Sequence, residues 1–231
     1  MDAIVLDSLP FELEMEVLRK RLRIESVSPY LGDLRHLLDE ASAVARPKAL
    51  YRVAFVDAKQ DDHVVIEGVR LDSRVLRVNL ADAHRVFAYV ATCGMELSQW
   101  YSSKSDLLRQ FWAETIAEMA LHGAIAALRQ HLTDHYRPGS LSSMAPGSLA
   151  DWPLEEQRAL FTILGNTEKL VGVRLTDHML MIPTKSLSGI FFPTQISFES
   201  CQLCSRARCP GRRAPYDQGL YERKYRRQET H

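Results

Sequence analysis

The chain begins with a helical pattern of apolar and charged residues. Across residues 11–24 every third or fourth position is apolar, while charged residues occupy the remaining face. The same spacing starts again near Tyr30 until Pro47 ends it, and it recurs over a longer stretch at residues 105–136. The pattern predicts two N-terminal helices and one long, buried central helix.

Short runs of β-branched and aromatic residues lie before and after the long helix, and charged turns interrupt them, which is typical of strands. These runs predict strands at residues 50–56, 64–66, 75–78, 86–91, 173–176, 180–182 and 189–192. Residues 155–164 are predicted to form a short helix. Residues 137–152, rich in Gly, Pro and Ser, are predicted to form a long functional loop. Because helices and strands do not alternate regularly, we expect an α+β fold with a largely antiparallel sheet.

The composition changes along the chain and divides it into three parts. Residues 1–48 carry the two N-terminal helical patterns, and residues 49–200 contain the predicted strands and the long helix. Residues 201–231 have few apolar residues, many arginines and three of the four cysteines. We therefore expect an N-terminal helical segment, one α+β domain and a basic tail.

Charge and hydropathy exclude several classes of protein. The 29 Lys and Arg residues balance 29 Asp and Glu residues, which speaks against a nucleic-acid partner. No apolar run approaches the roughly 18 residues of a membrane helix, and no basic segment precedes the first apolar stretch, so we expect a soluble cytoplasmic protein. Neither a glycine-rich nucleotide loop nor a serine-hydrolase elbow is present in the sequence.

The tail contains a cysteine pattern of the kind that binds metals. Cys201, Cys204 and Cys209 form C-x2-C-x4-C followed by proline, so three thiolates can converge on one centre. Soft sulfur ligands select zinc or an iron–sulfur cluster, and we place the cluster ahead of zinc. Cys93 is the first candidate for a fourth ligand and His178 the second. Unliganded or redox-active thiols are the alternative.

Two further stretches carry a specific pair of motifs. Residues 144–157 read M-A-P-G-S-L-A-D-W-P-L-E-E-Q, and residues 171–189 contain V-G-V-R-L-T-D and M-I-P-T-K-S-L-S-G. They resemble the P-G, D-W-P and Q pattern and the G-V-x-L-T-E and M-x-P-x-x-S-V-S-G runs of the activation domain of cobalamin-dependent methionine synthase. The resemblance covers about residues 86–192, and the cysteine pattern resembles the tail of free-standing, anaerobe-type relatives.

The resemblance implies an α+β fold with a twisted antiparallel sheet and a site for S-adenosylmethionine. It places that site at nine residues of the two motifs: Pro146, Gly147, Ser148, Asp151, Trp152, Asp177, Ser186, Ser188 and Gly189. In the family an R-x-x-x-G-Y run supplies an arginine and a tyrosine to the ligand. This sequence has Ser143 and Ser148 at those places, so its site would lack the charged clamp.

Two functions follow from these observations. The first is an accessory role in reductive reactivation of, or methyl transfer to, a corrinoid protein or a methionine synthase core. The partner would carry the cobalamin, because the sequence has no D-x-H-x-x-G motif to bind it. The second is an iron–sulfur or zinc-binding electron-transfer or interaction module for a corrinoid methyltransferase, with the basic tail docking an acidic partner. A complete methionine synthase is a minor third reading.

Overall fold

The structure of the protein is a computed structural model that describes residues 2–209 and 211–226. Pro210 of the cysteine pattern, and the end of the basic tail from Arg227 onward, lie outside the described residues.

The described residues form one large sheet and one small ribbon. The strands are β1 Ile4–Leu6, β2 Lys48–Lys59, β3 His63–Ile66, β4 Val69–Asp72, β5 Arg85–Thr92, β6 Leu141–Met144, β7 Arg174–Leu175, β8 Met181–Ile182 and β9 Ser186–Pro193. The large sheet has the order β4-β3-β2-β5-β9-β6, with β1 beside the first half of β2, and β7 pairs only with β8. All of these strand pairs are antiparallel, which confirms the expected α+β class.

The helices include the long one that the sequence predicts. They are α1 Met15–Leu22, α2 Leu31–Val44, α3 Arg74–Asn79, α4 Met95–Ser102, α5 Leu107–Tyr136, α6 Gln157–Leu164 and α7 Thr167–Val171. Single turns of 3-10 helix lie at Leu154–Glu156 and Ser200–Gln202, and a π turn lies at Tyr221–Tyr225. Within the described residues, no helix has both the length and the apolar character needed to cross a membrane.

The core has three connected parts. One face of the sheet, with Tyr89 and Phe191, packs against the second half of α5. The opposite face, with Val90 and Ile190, packs against α3, α6 and α7. Helices α1 and α2 pack with α4 and the first half of α5. Alternate residues of each central strand thus serve opposite layers, as the two-residue period of a strand requires.

Two local predictions are wrong. Residues 75–78, predicted as a strand, belong to helix α3, whose first turn is capped by Ser73 Oγ and by the Asp151 carboxylate. These caps outweigh the strand preference of the valines. Residues 137–152, predicted as a loop, include strand β6, because Ser142 and Ser143 pair with the edge of β9. The first helix is also shorter than residues 11–24.

Candidate functional site

A tight loop follows strand β6 and carries the first motif. Gly147 has a φ of +79°, and its N–H donates to the carbonyl of Trp152 at 2.8 Å. A Cβ at Gly147 would stand 2.9 Å from Leu154 Cδ1, so the position favours glycine for both its backbone and its contacts. Pro146 is buried, whereas Gly147 and Ser148 are exposed. The loop therefore presents backbone and a hydroxyl group to solvent.

The other residues of this motif support the fold. One Asp151 carboxylate oxygen accepts hydrogen bonds from Ser73 Oγ and from the Val75 N–H, the latter at 2.9 Å. Trp152 is completely buried, and its indole N–H has no hydrogen-bond partner among the described residues. The structure thus places the partly buried Asp151 at the start of α3 and the buried Trp152 in the core.

The second motif leads into strand β9, and Ser186, Ser188 and Gly189 lie in the first half of that strand. Ser186 Oγ lies 2.9 Å from Thr92 Oγ1 and donates to the Pro183 carbonyl at 2.7 Å. Ser188 Oγ is buried without a hydrogen-bond partner in the described part of the chain. A Cβ at Gly189 would be 2.6 Å from the Met144 carbonyl oxygen, so glycine allows β6 to approach β9 closely.

The start of the tail lies along the free edge of β6. Glu199 forms an isolated parallel bridge with Ser143, and the Phe198 N–H donates to Ser142 Oγ at 2.7 Å. Ser200 Oγ is 3.4 Å from Ser148 Oγ, so the tail also reaches the loop of the first motif. We call this region, made by the buried Ser143 and Ser200, the partly buried Glu199 and the exposed Ser148, the β6 edge.

Two arginines from distant parts of the chain lie close to the β6 edge. Arg213 Nη2 is 3.0 Å from Glu199 Oε2. Arg129, on α5, donates to the Leu141 carbonyl at 2.6 Å. Burial raises the pKa of Tyr89 to about 12, while the positive charges of Arg213 and Arg129 oppose the rise. The β6 edge is therefore charged, although it has a serine where the resembling family has an arginine.

A cleft of about 390 Å³ opens beside this edge, where β9 ends. Its lining includes Asn79, Pro193, Ile196 and Lys224. Lys224 Nζ donates to Asn79 Oδ1 at 2.9 Å, and burial lowers the pKa of this lysine. Pro193 pairs with Leu141, two residues before Ser143, so the cleft lies about 7 Å along the strand from the β6 edge.

The three tail cysteines occupy one loop that an arginine organises. The Arg212 guanidinium donates to the carbonyls of Cys201 at 3.1 Å and Cys204 at 3.2 Å, and also to that of Arg206. The Arg213 N–H donates to Cys201 Sγ at 3.4 Å. All three thiols are partly buried, and none forms a disulfide.

Not all of the predicted site residues come together. The Asp177 side chain is exposed in the turn between β7 and β8. Cys93 follows β5, opposite the start of β9, about 17 Å of strand away from the residues that pair with β6. Residues 2–209 and 211–226 contain no group of three or more His, Cys, Asp or Glu side chains placed to hold a metal ion. The structure thus does not bring Cys93 to the tail cysteines.

The fold of this protein has a counterpart among solved structures. The fold is similar to that of the MetH reactivation domain. The match is to the crystal structure of that domain bound to AdoHcy, with a TM-score of 0.63 and 16% sequence identity. It covers 87% of this chain and 81% of the MetH reactivation domain chain. No protein-family model matches the sequence, and no curated protein matches it significantly. At this identity the match shows the fold alone.

Sequence reasoning missed the charged residues of the β6 edge. Glu199 and Arg213 lie outside the two motifs, and Arg129 lies on the long helix, so the motifs gave no reason to select them. The one signal was the arginine-rich tail itself, whose position beside β6 depends on contacts between residues far apart in the sequence. The charged groups at the β6 edge thus differ from the arginine that the R-x-x-x-G-Y run supplies in the activation-domain family.

Proposed function

We propose that this protein acts in the cytoplasm as an accessory protein of corrinoid-dependent methyl transfer, and that it binds S-adenosylmethionine at the β6 edge. The observation that carries the proposal is the fold match, over 87% of the chain, to the MetH reactivation domain bound to AdoHcy. The partner would be a corrinoid protein or a methionine synthase core that carries its own cobalamin.

The residues at the β6 edge fit such a ligand. Gly147 is exposed and carries no side chain, and Ser148 offers an exposed hydroxyl group. Arg213 and Glu199 offer one positive and one negative charge. The adjoining cleft of about 390 Å³ lies within the range of roughly 300–1,000 Å³ that small-molecule sites occupy. The hydroxyl and charged groups of the β6 edge thus lie about 7 Å along the strand from a cleft large enough for a nucleoside.

The role of this chain in methyl transfer is to bind S-adenosylmethionine and to orient it. When bound, S-adenosylmethionine supplies a methyl group to a nucleophile and leaves as S-adenosylhomocysteine. The loop of Gly147 and Ser148 is held by backbone hydrogen bonds, so it presents its groups in a fixed geometry. Fixed geometry favours transfer because the entropy of alignment is lost before the reaction. An external reductant would supply the electron that a corrinoid partner requires.

Calorimetry and a reactivation assay test this proposal. We expect S-adenosylmethionine to release or absorb heat on binding, and we expect the protein to restore methylcobalamin on a methionine synthase that lacks its own activation domain, with titanium(III) citrate as reductant. Gly147→Ala should weaken ligand binding about fivefold, because the added Cβ strains the loop. Gly139→Ala is the control, since Gly139 has a similar positive φ but open surroundings. Absence of binding and of reactivation would refute the proposal.

The tail supports a second candidate function, a metal or iron–sulfur centre that passes electrons to the corrinoid partner. The observation that favours it is the N–H of Arg213 directed at Cys201 Sγ, because backbone amides stabilise thiolates in this way. Cys201, Cys204 and Cys209 would have to turn toward one another on binding. His178 and a ligand from the partner remain open for the fourth position, since Cys93 lies far along the sheet.

Elemental analysis tests the second candidate. Anaerobically purified protein should contain iron and acid-labile sulfide, with a visible absorbance that dithionite bleaches. Cys204→Ala should remove both the iron and the absorbance, whereas Cys93→Ala should leave them in place because Cys93 lies far from the tail loop. Zinc without sulfide would make the centre a structural one. Neither metal in the purified protein would refute this candidate.

A further inference from the structure

An ion pair between a half-exposed arginine and a largely buried glutamate joins the tail to the β6 edge. Arg213 Nη2 lies 3.0 Å from Glu199 Oε2, and the two side chains are 55% and 24% exposed. Glu199 Oε2 itself is buried and accepts no hydrogen bond of good geometry from the described residues. The Glu199 side chain also caps the turn of Gln202, which occupies part of its capacity. Both partners still have unused capacity, because a guanidinium has five N–H donors and a carboxylate has about four acceptor positions.

The backbone on both sides of Arg213 is fixed. Its own N–H donates to Cys201 Sγ, and the preceding Arg212 side chain holds the carbonyls of Cys201, Cys204 and Ala214. Glu199 is fixed by its bridge to Ser143 and by its N–H, which donates to Gln202 Oε1 at 3.0 Å. The backbones that carry the two opposite charges are thus held in place, and the ion pair itself joins the two side chains.

A fixed pair of opposite charges selects a particular ligand chemistry. A phosphate or a dicarboxylate would be attracted by Arg213 and repelled by Glu199 beside it. A zwitterion satisfies both charges, because its carboxylate accepts from the guanidinium and its ammonium donates to the carboxylate. The exposed hydroxyl of Ser148, 3.4 Å from the Oγ of the buried Ser200, adds a neutral partner near the pair. The arrangement matches the α-amino acid group of S-adenosylmethionine and of S-adenosylhomocysteine.

We propose that Arg213 and Glu199 form the subsite for the α-amino acid end of the ligand, with Arg213 binding its carboxylate and Glu199 its ammonium group. This assignment rests on the proposed function. In this subsite Arg213 of the tail supplies the positive charge that the sequence lacks at Ser143. The cysteine loop then positions Arg213, whether or not it binds a metal.

Calorimetry with two nucleosides tests the assignment. S-adenosylhomocysteine carries the amino acid group, whereas 5′-methylthioadenosine lacks it. Arg213→Ala should weaken binding of S-adenosylhomocysteine about 10- to 100-fold, the range for loss of a charge-assisted hydrogen bond, and leave methylthioadenosine unchanged. Glu199→Gln should act in the same direction, and Arg213→Lys should recover part of the loss. Arg206→Ala is the matched control, because Arg206 is an exposed arginine of the same loop.

The outcomes separate this assignment from the proposed function. If the wild-type protein binds both nucleosides and Arg213→Ala leaves their affinity ratio unchanged, the assignment is overturned while the proposed function stands. If the wild-type protein binds neither nucleoside, the proposed function falls and the assignment falls with it. If both affinities decrease equally in Arg213→Ala, the tail acts only on the fold and the assignment is again overturned. Circular dichroism and thermal unfolding check that each variant remains folded.

Discussion

Polar groups at the two ends of the β5–β9 strand pair differ in their partners and in their exposure to solvent. At the Ser186 end the hydroxyl groups bond to each other and to backbone, and Cys93 beside them is completely buried. At the β6 end the Arg213 side chain is 55% exposed, and its partner Glu199 is 24% exposed. Polar groups that satisfy each other stabilise a fold, whereas groups with unused hydrogen-bonding capacity can bind a ligand. The same strand pair thus has one end whose polar groups stabilise the fold and one end that we propose binds the ligand.

Thiol alkylation should reveal the largest difference between the two ends. Burial raises the pKa of Cys93 to about 12, whereas Cys201, Cys204 and Cys209 are only partly buried. Treated with iodoacetamide at mildly alkaline pH, the metal-free protein should label its three tail thiols. Cys93 should react about a thousandfold more slowly, because its reaction requires the structure to open. Mass spectrometry of timed samples measures each rate.

The denatured protein is the control for this experiment, and there all four cysteines should react at similar rates. Rapid labelling of Cys93 in the folded protein would show that the Ser186 end opens readily and would remove the contrast.

A methyl group at Gly94, next to Cys93 at the Ser186 end, should destabilise the protein strongly. Gly94 has a φ of +92°, and a Cβ would stand 2.4 Å from the Arg46 carbonyl oxygen. We expect Gly94→Ala to lower the free energy of unfolding by about 3 kcal/mol or more, as measured by urea denaturation. Gly123→Ala is the control, because Gly123 lies inside α5 in open surroundings and should gain about 0.5–1 kcal/mol. Equal stability of the two variants would contradict this account of Gly94.

Asp151→Ala tests whether a motif carboxylate belongs to the fold or to the ligand site. Because Asp151 caps the first turn of α3, we expect the free energy of unfolding to fall by about 1–2 kcal/mol. Affinity for S-adenosylhomocysteine should change little. The control is Asp177→Ala, whose exposed side chain should contribute less than about 0.5 kcal/mol. A variant that keeps its stability but loses ligand affinity would return Asp151 to the binding site.

Most of the fold could be predicted from the sequence because its main elements depend on local patterns. Apolar residues at helical spacing place the long helix at residues 105–136, and the structure has it at Leu107–Tyr136. Alternation and β-branched residues likewise place β5 and β9. There are two exceptions. Residues 137–152, predicted as a loop, contain β6 because Ser142 and Ser143 pair with β9. In α3 a cap from Asp151, far along the chain, decides the conformation against the local preference.

The candidate site could be predicted only in part, because its charges come from separate segments. The motifs located the Gly147 loop and Gly189. Glycine is required at Gly147 by its positive φ and at Gly189 by the close approach of β6. Nothing local indicated that Arg213 would lie next to Glu199, or that Glu199 would pair with Ser143. Such contacts depend on how the tail folds back along the sheet edge, which periodicity does not determine.

Two serines of the second motif differ in their hydrogen-bond partners and test the same contrast on the smallest scale. Ser186 Oγ has two hydrogen-bond partners, whereas the buried Ser188 Oγ has none among the described residues. We expect Ser186→Ala to cost about 1 kcal/mol in unfolding free energy and Ser188→Ala to be neutral or slightly stabilising, because an unpartnered hydroxyl gains nothing from burial. Urea denaturation of both variants measures this difference. If Ser188→Ala instead weakens binding of S-adenosylhomocysteine, then the ligand is what satisfies this hydroxyl, and the binding end extends one residue further along β9 than Gly189.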